Sequence, residues 1–356
     1  MKLEWSLPAA ARAGICFVIA CGCATSAAAA EDPSDCKTLV LDAERLACYD
    51  RLHGRDSAPK RPAETPESAK PASPELAPAA PAAQKSLLDE RWELEPNSKR
   101  GAFRITPYKP VYFLPYFYTN NVNRQPSSPA PGHTAPVSED IDGTEAKLQF
   151  GFKTKLWENV FGGNFSDLWF GYTQSSRWQV YNRALSRPFR ETNYEPEALM
   201  VFRTDYDVLG WNGRMFSVGL NHQSNGRSLP LSRSWNRVVV PVGLERGNWA
   251  VTVRPWMRIL ESFSRDDNPD IADYMGRGDI VLTYNAGGHE VSAMVRHSLR
   301  GGSRSHGAVQ LEWAFPIKRQ LKGYVQWFSG YGESLIDYNH RGSYIGVGVS
   351  LLEWYR

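Results

Sequence analysis

Residues 147–156 read KLQFGFKTKL, and the alternation within this stretch decides the fold class. Its even-numbered positions are mostly apolar, whereas its odd-numbered positions carry lysine, glutamine or glycine. Because a strand places successive side chains on opposite faces, this stretch predicts a β-strand with one apolar and one polar face. Residues 345–351 repeat the pattern, with Ile345, Val347 and Val349 alternating with small residues. A soluble sandwich and a membrane barrel both use such strands, so one strand leaves both folds open.

The whole C-terminal part of the chain follows this period of two. It predicts twelve strands, at residues 103–118, 145–157, 166–178, 196–207, 213–224, 236–244, 248–260, 276–286, 289–298, 306–316, 320–331 and 342–353. The connections alternate in length, as in the long 119–144 and 179–195 against the short 158–165 and 208–212. Short periplasmic turns and longer outer loops give this asymmetry in an up-and-down barrel. We therefore expect an all-β fold, a twelve-stranded antiparallel transmembrane β-barrel preceded by a small N-terminal periplasmic segment.

Composition is consistent with that fold and excludes others. Lys and Arg number 41 against 38 Asp and Glu, and the resulting charge of +3 gives no indication of a nucleic-acid partner. No apolar run of about 20 residues follows residue 30, which argues against a membrane-spanning helix. Aromatic residues make up 12% of the chain, with 12 Trp, as a barrel with aromatic girdles would need. Pro107, Pro110 and Pro115 weaken the first strand, since proline donates no ladder hydrogen bond.

The N-terminus has the features of an export signal. A positively charged start, an apolar core and three alanines before Glu31 predict that residues 1–30 are a signal peptide. Lipid modification at Cys21 or Cys23 is an alternative, although neither cysteine lies in a good lipobox.

A small segment and a linker come next. Cys36 and Cys48 are the only cysteines after the signal, and in an exported chain such a pair suggests a disulfide. Apolar residues between them recur at helical spacing, so residues 31–54 are predicted to be a short disulfide-stapled helical segment; a zinc site is disfavoured, because only His53 lies nearby. Residues 55–85 contain seven prolines and nine alanines and are predicted to be a linker. Residues 86–356 then form the barrel domain.

Polar residues interrupt the apolar row of the strand that ends near residue 224. His222 and Ser224 continue the row of Val218 and Leu220, and Asn236 begins a comparable row on the next strand. The three side chains could meet on the outer, lipid-facing wall, with His222 as base, Ser224 as nucleophile towards an ester carbonyl and Asn236 orienting the imidazole. Spacing alone favours the simpler interpretation that these residues line the headgroup interface.

The surrounding residues, NHQSNGRSLPLSRSWNR at 221–237, resemble the active-site segment of outer-membrane phospholipase A. The same family is similar at SRPFRETNYEPE (186–197), DDNPDI (266–271) and YGESLIDYN (331–339), in the same order. The resemblance covers roughly residues 100–353 and excludes the disulfide segment and linker. It implies a barrel enzyme, a phospholipase A1/A2, that hydrolyses acyl esters of glycerophospholipids and lysophospholipids. It also implies calcium as cofactor and a homodimer as the active form, with a monomer at rest.

Matched motif by motif, the resemblance implies roles for individual residues. Ser224 corresponds to the nucleophile, His222 to the base and Asn236 to the orienting residue. The backbone amide of Gly226 corresponds to the oxyanion donor, helped by water on the calcium.

The resemblance also implies a calcium site. Its ligands in the active dimer would correspond to Ser186, Arg227 and Ser232, with arginine contributing its main-chain carbonyl. Asp267 corresponds to a further ligand of the monomer, whose usual acidic companion is replaced here by Leu229. Without the resemblance, the two serines and Asp267 would be interpreted as loop capping and solvation.

Three further expectations concern assembly and location. The resemblance places Gln174 at the subunit contact, where buried amides can pair in lipid. Arg356 departs from the aromatic C-terminus that is usual for such barrels. The chain is expected in the outer membrane of a Gram-negative bacterium, crossing it many times with a periplasmic N-terminus.

A passive pore or adhesin is the alternative function. In that case the long loops would do the binding and the triad would have no catalytic role. Lys147, Lys153 and Lys155 project towards the same polar side of one strand, which suggests a lumen filled by charge networks and disfavours a pore.

Overall fold

The computed structural model describes residues 36, 41–52, 86–262, 264–318 and 321–355. The chain divides into two units, Met1–Ala77 and Pro78–Arg356. In the first unit, helix α1 spans Asp42–Leu52, and a disulfide joins Cys36 to Cys48. The predicted signal peptide and the predicted linker lie outside the described residues.

The second unit is a closed antiparallel barrel. Its strands are β1 (Ile105–Pro107), β2 (Val111–Thr119), β3 (Thr144–Trp157), β4 (Ser166–Trp178), β5 (Glu191–Val208), β6 (Trp211–Ser224), β7 (Ser234–Val239), β8 (Val242–Arg246), β9 (Trp249–Ile259), β10 (Gly278–Ala286), β11 (His289–His297), β12 (Gly307–Lys318), β13 (Leu321–Tyr331) and β14 (Arg341–Leu352). Helices α2 (Leu87–Trp92) and α3 (Ile271–Tyr274) and a 3-10 turn, Gly302–Arg304, complete the described elements. Strands pair antiparallel with their neighbours in chain order, except that β1 does not pair with β2 and β7 does not pair with β8, and β14 pairs with β2 to close the ring.

Two of the twelve barrel strands are interrupted. Each of these two is divided into two segments, so the twelve strands of the barrel comprise fourteen segments. β1 and β2 both pair with β3, and the register shifts between Leu114 and Phe117, next to Pro115. β7 and β8 both lie between β6 and β9 and are separated at Val240 and Pro241. Each interruption lies beside a proline, because proline donates no ladder hydrogen bond. The predicted twelve-stranded barrel is confirmed.

Three predicted strands differ from the structure: those at 103–118 and 236–244 are interrupted, and the predicted start of the one at 196–207 is wrong. β5 begins at Glu191 and not at residue 196, which shortens the preceding loop to 179–190. The side chains of Glu191 and Asn193 are buried in the lumen, whereas Thr192 and Tyr194 face outwards. Both faces of this stretch carry polar groups, so the hydrophobic alternation that identifies the other strands is missing here.

The lumen is filled with charge networks. Lys147, Lys153 and Lys155 are at most 3% exposed, as the predicted polar face requires. The Lys147 ammonium lies 2.8 Å from a carboxylate oxygen of Glu333, and the Lys155 ammonium lies 2.9 Å from Glu93. Buried charges need such partners, because an unpaired ion in the interior costs several kcal/mol.

Helix α2 packs inside the barrel beside β6, β8 and β9. Ser86 caps it by accepting the Asp89 N–H at 3.0 Å, and Glu93, in the left-handed region at φ 54°, ends it. Leu88 is fully buried, and the Trp92 ring packs edge-on against Trp169 at 5.8 Å. This end of the lumen is therefore packed with apolar side chains.

The outer wall of the barrel is apolar. On β6, Phe216, Val218 and Leu220 are 38–58% exposed, whereas Ser217 and Asn221 on the opposite face are buried. Such a surface fits contact with lipid tails and marks the side on which the even-numbered residues of β6 lie. In the described part of the chain, no helix is both long and apolar enough for a membrane span.

Candidate active site

The predicted base and the predicted orienting residue lie opposite each other on two paired strands. His222 on β6 is the register partner of Asn236 on β7. Both share the outward parity of Leu220 and Val238, so both project from the outer wall, as the sequence predicts. The imidazole Nδ1 lies 2.8 Å from Asn236 Oδ1.

The amide of Asn236 fixes the tautomer of the imidazole. Its Nδ2 donates to a carboxylate oxygen of Glu261 at 2.8 Å, so its oxygen must be the atom that faces His222. An amide oxygen only accepts, and Nδ1 of His222 therefore carries the proton in this bond. Nε2 is left as the basic nitrogen.

Ser224 lies two residues beyond His222 on the same outward face and is half-buried. Successive residues on one face of a strand are separated by roughly 6.6 Å, a distance that two leaning side chains can bridge. Among the residues that the structure describes, no hydrogen bond joins the Ser224 hydroxyl to the imidazole. Bonds of this kind often tighten only when substrate is bound.

The loop of residues 225–233 carries the predicted oxyanion donor, and Asn225 organises it. The Asn225 side chain is buried, accepts the backbone N–H groups of Arg227 (3.3 Å) and Arg233 (3.0 Å), and donates to the carbonyl of Leu231 (2.8 Å). Gly226 has φ +62°, and a Cβ there would lie 3.0 Å from the Tyr194 ring. Within the described chain, the Gly226 N–H donates to no other group, so it remains free to bind an oxyanion.

A buried guanidinium ties this loop to the first long outer loop. Arg233 is fully buried and donates to the carbonyls of Ser232 (2.7 Å) and Pro230 (3.2 Å) and to that of His133 (3.0 Å). Burial lowers the pKa of Arg233, because no carboxylate offsets the lost hydration at hydrogen-bond distance in the described structure.

The predicted cation ligands are brought together only in part. Ser232 Oγ donates to Asp267 Oδ2 at 2.7 Å, and Ser234 Oγ donates to the same oxygen at 3.3 Å. His133 Nε2 lies 3.0 Å from the other carboxylate oxygen. Leu229, at the position of the acidic companion, is 63% exposed and offers no ligand.

Ser186 stays apart from this group. It lies in the 179–190 loop, where its carbonyl accepts the Trp178 indole N–H at 2.8 Å. In the described ranges no hydrogen bond joins Ser186 to Ser232 or Asp267, and no cluster of three or more His, Cys, Asp or Glu side chains could hold a metal. The hard oxygen donors of a carbonyl, a hydroxyl and one carboxylate still suit calcium.

Gln174 lies on the outward face of β4, where its carbonyl accepts the Tyr172 hydroxyl at 3.0 Å. An amide at this place is available to a second molecule, as the predicted subunit contact requires.

Two functional candidates, Asn225 and Glu261, cannot be recognised from the sequence pattern. Asn225 lies within the quoted motif, but its side chain acts on the backbone of its own loop, which no spacing rule detects. Glu261 lies two residues after the end of β9, in a predicted loop, where no hydrophobic period gives a direction to side chains.

Comparison with known proteins agrees with the geometry. The sequence model of the family Phospholipase A1 matches residues 88–351. The chain is 40% identical over 272 residues to Phospholipase A1 of Salmonella typhimurium, covering 76% of this chain and 88% of that protein. It is similar to the outer membrane phospholipase A of Escherichia coli, with a TM-score of 0.63 and 39% identity, covering 71% of this chain and 100% of that one. A Salmonella typhi outer membrane phospholipase, a dimer with bound calcium, is similar with a TM-score of 0.65 and 37% identity, covering 77% of this chain and 100% of that one.

Proposed function

The chain belongs to the phospholipase A1 family, and we propose that it hydrolyses phospholipid in the outer membrane through Ser224, His222 and Asn236. It is an outer-membrane barrel and a carboxylic ester hydrolase. The observation that carries the catalytic assignment is the 2.8 Å bond from His222 to Asn236 on the lipid-facing wall, beside Ser224. Its substrates are the acyl esters of glycerophospholipids and of lysophospholipids.

Acyl transfer begins with Nε2 of His222 taking the hydroxyl proton of Ser224. The serine oxygen attacks the acyl carbonyl, and the Gly226 N–H donates to the oxyanion that forms. When the tetrahedral intermediate collapses, the imidazolium gives its proton to the leaving glycerol oxygen, which releases the lysophospholipid and leaves an acyl ester on Ser224.

Hydrolysis of that ester reuses the same groups. His222 takes a proton from water, and the resulting hydroxide attacks the acyl carbonyl. Collapse returns the proton to Ser224 and releases the fatty acid. Asn236 holds the ring plane and the Nδ1 proton throughout. Next to hydrocarbon, a neutral amide avoids the desolvation cost that an aspartate would add.

We propose that calcium is held by the Arg227 carbonyl, the Ser232 hydroxyl and Ser186, with Asp267 in support. Ser232 Oγ can offer a lone pair to a cation while its hydroxyl hydrogen still donates to Asp267, so the observed bond fits the role. Bound there, calcium would supply positive charge near the developing oxyanion.

The separation of Ser186 from Ser232 and Asp267 suggests how activity is controlled. If Ser186 comes from a second copy, each barrel carries half of a calcium site, and a dimer completes it. Two outer walls facing each other would also form a groove for acyl chains, which a single wall does not offer. The resting monomer is then nearly inactive. Protein that is kept monomeric by crosslinking but retains full calcium-dependent turnover would contradict regulation by dimerisation.

The function is tested by fatty acid release from phosphatidylcholine in mixed micelles. Wild-type protein should release fatty acid in the presence of calcium, and the release should stop when chelator is added. The Ser224→Ala variant should be inactive under both conditions. Ser138→Ala is the matched control, since Ser138 is exposed and makes no side-chain hydrogen bond in the described chain. Activity in Ser224→Ala would overturn the catalytic assignment.

The same preparations test the pore or adhesin alternative. Ion conductance without hydrolysis would favour a pore. The buried ion pairs of the lumen and the apolar packing of α2 argue against conduction.

A further inference from the structure

We infer that Glu261 is a positioning residue for the His222 imidazole, acting through Asn236. The inference rests on the proposed function and adds a fourth residue to the proposed triad of Ser224, His222 and Asn236. In the described structure Glu261 hydrogen-bonds to Asn236 and not to His222 or Ser224, so its role is to hold the orienting amide.

The end of β9 brings Glu261 to the amide. Ile259, the last residue of β9, is the register partner of Asn236 on β7. Glu261 lies two residues farther along, and its Oε1 accepts the Asn236 Nδ2 hydrogen at 2.8 Å. Both ends of the amide are thereby used, one by the imidazole and the other by the carboxylate.

A carboxylate at this place removes an ambiguity that is inherent in an asparagine triad. An amide can turn by 180° and present its NH2 group to the imidazole, and the protonated Nδ1 would then have no acceptor. A carboxylate only accepts, so Glu261 favours the orientation in which Oδ1 faces His222. Its negative charge also polarises the amide, which strengthens the bond to an imidazolium during proton transfer.

The surroundings of Glu261 leave this as its assignable role. In the described part of the chain, no lysine, arginine or histidine forms an ion pair with it, and the bond to Asn236 is the one hydrogen bond of its carboxylate. The side chain is half-buried, so the bond is shielded in part from water. A glutamate that contributed only to solubility would not be expected to accept a hydrogen bond from an amide that also binds a histidine.

The test compares kcat and KM of Glu261→Ala with wild type in the calcium-supplemented micelle assay. Loss of one hydrogen bond to a charged group predicts a fall in kcat of about tenfold to a hundredfold, with KM unchanged. Glu261→Asp should recover at least half of the loss, because it keeps an acceptor-only carboxylate. The kcat of Glu261→Gln should lie between those of the Ala and Asp variants, since glutamine keeps an acceptor oxygen but loses the charge.

A double-mutant cycle with Asn236→Ala separates positioning from a general structural role. If Glu261 acts through Asn236, Glu261→Ala should cost nothing further in the Asn236→Ala background. Glu139→Ala is the matched control, because its carboxylate has no hydrogen-bond or ion-pair partner in the described chain. Barrel assembly is checked by the heat-modifiable shift in gel mobility, and Glu261→Gln carries the cycle if the alanine variant does not assemble.

The outcomes distinguish this inference from the function on which it rests. Unchanged kcat in Glu261→Ala, with Ser224→Ala inactive, would overturn the positioning role and leave the function intact. An equal loss in the wild-type and Asn236→Ala backgrounds would overturn action through Asn236. Activity in Ser224→Ala would instead remove the proposed function itself.

Discussion

Replacing Asn225 by alanine should uncouple the active-site loop from the barrel without unfolding the barrel. The Asn225 amide makes four hydrogen bonds, to the N–H groups of Arg227 and Arg233, to the Leu231 carbonyl and to Glu191. None of these bonds belongs to the ladder between β6 and β7, which ends at Ser224 and Ser234. The change therefore removes order from residues 225–233 and leaves the strand pairing in place.

The size of the effect follows from those bonds. Each is worth about 0.5–1.5 kcal/mol net. Two of them, to Arg227 N and to Glu191, measure 3.3 Å and belong at the weak end, while the others measure 2.8 and 3.0 Å. A total of about 3 kcal/mol lowers the fraction of ordered loop by up to about a hundredfold. Because this loop presents the Gly226 N–H and the Arg227 carbonyl, kcat should fall by up to that factor and more calcium should be required.

The assay is fatty acid release measured across a calcium titration, with the heat-modifiable gel shift as the folding check. Asn120→Ala is the control, since Asn120 is exposed and its side chain makes no hydrogen bond within the described residues. An Asn225→Ala variant with wild-type kcat and an unchanged calcium midpoint would refute the idea that this amide orders the loop.

Two other predictions use the same assay or a stability measurement. Gly226 has φ +62° and a Cβ there would lie 3.0 Å from Tyr194, so Gly226→Ala should displace the proposed oxyanion donor and lower kcat about tenfold. Gly301 has a negative φ and lies in open space, so Gly301→Ala is the control and should keep wild-type kcat. Equal activity in both variants would contradict this prediction. Glu333→Gln leaves Lys147 and Arg177 buried without their shared carboxylate, so urea unfolding in detergent should show a loss of about 3–5 kcal/mol, and an unchanged midpoint would contradict the network. Those two cations hold the pKa of Glu333 in the folded protein well below its usual range. The stabilisation is therefore complete above the pKa that Glu333 has in the unfolded chain and is lost as the pH falls towards the pKa in the folded protein. The free energy of unfolding of the variant should approach that of wild type only in strong acid.

The fold could be predicted from the sequence because a barrel wall depends on a local rule. Residues 147–156 alternate with period two, and the structure places Phe150 outside and Lys153 inside, as that period requires. Loop lengths supplied the rest, since alternate connections must lie at opposite ends. The prediction failed where both faces are polar, at Glu191 to Glu195, and where a proline interrupts a strand, as at Pro241.

The placement of the candidate site was predictable in part, for a different reason. His222 and Ser224 interrupt an apolar row, and the row already determines the wall from which they project. The pairing of His222 with Asn236 depends on register between strands, which the sequence does not encode locally. Glu261 and Asn225 act through side-chain contacts of irregular segments, and only three-dimensional geometry identifies such contacts.

We propose above all that an activated serine on the outer wall performs the hydrolysis. It is tested most directly with a long-chain alkylsulfonyl fluoride, which sulfonylates an activated serine, followed by peptide mass mapping. We expect one label for each chain, on Ser224, with activity lost in proportion to labelling, and no label in His222→Ala. Full activity with Ser224 completely labelled, or inactivation with the label on another residue, would contradict the account.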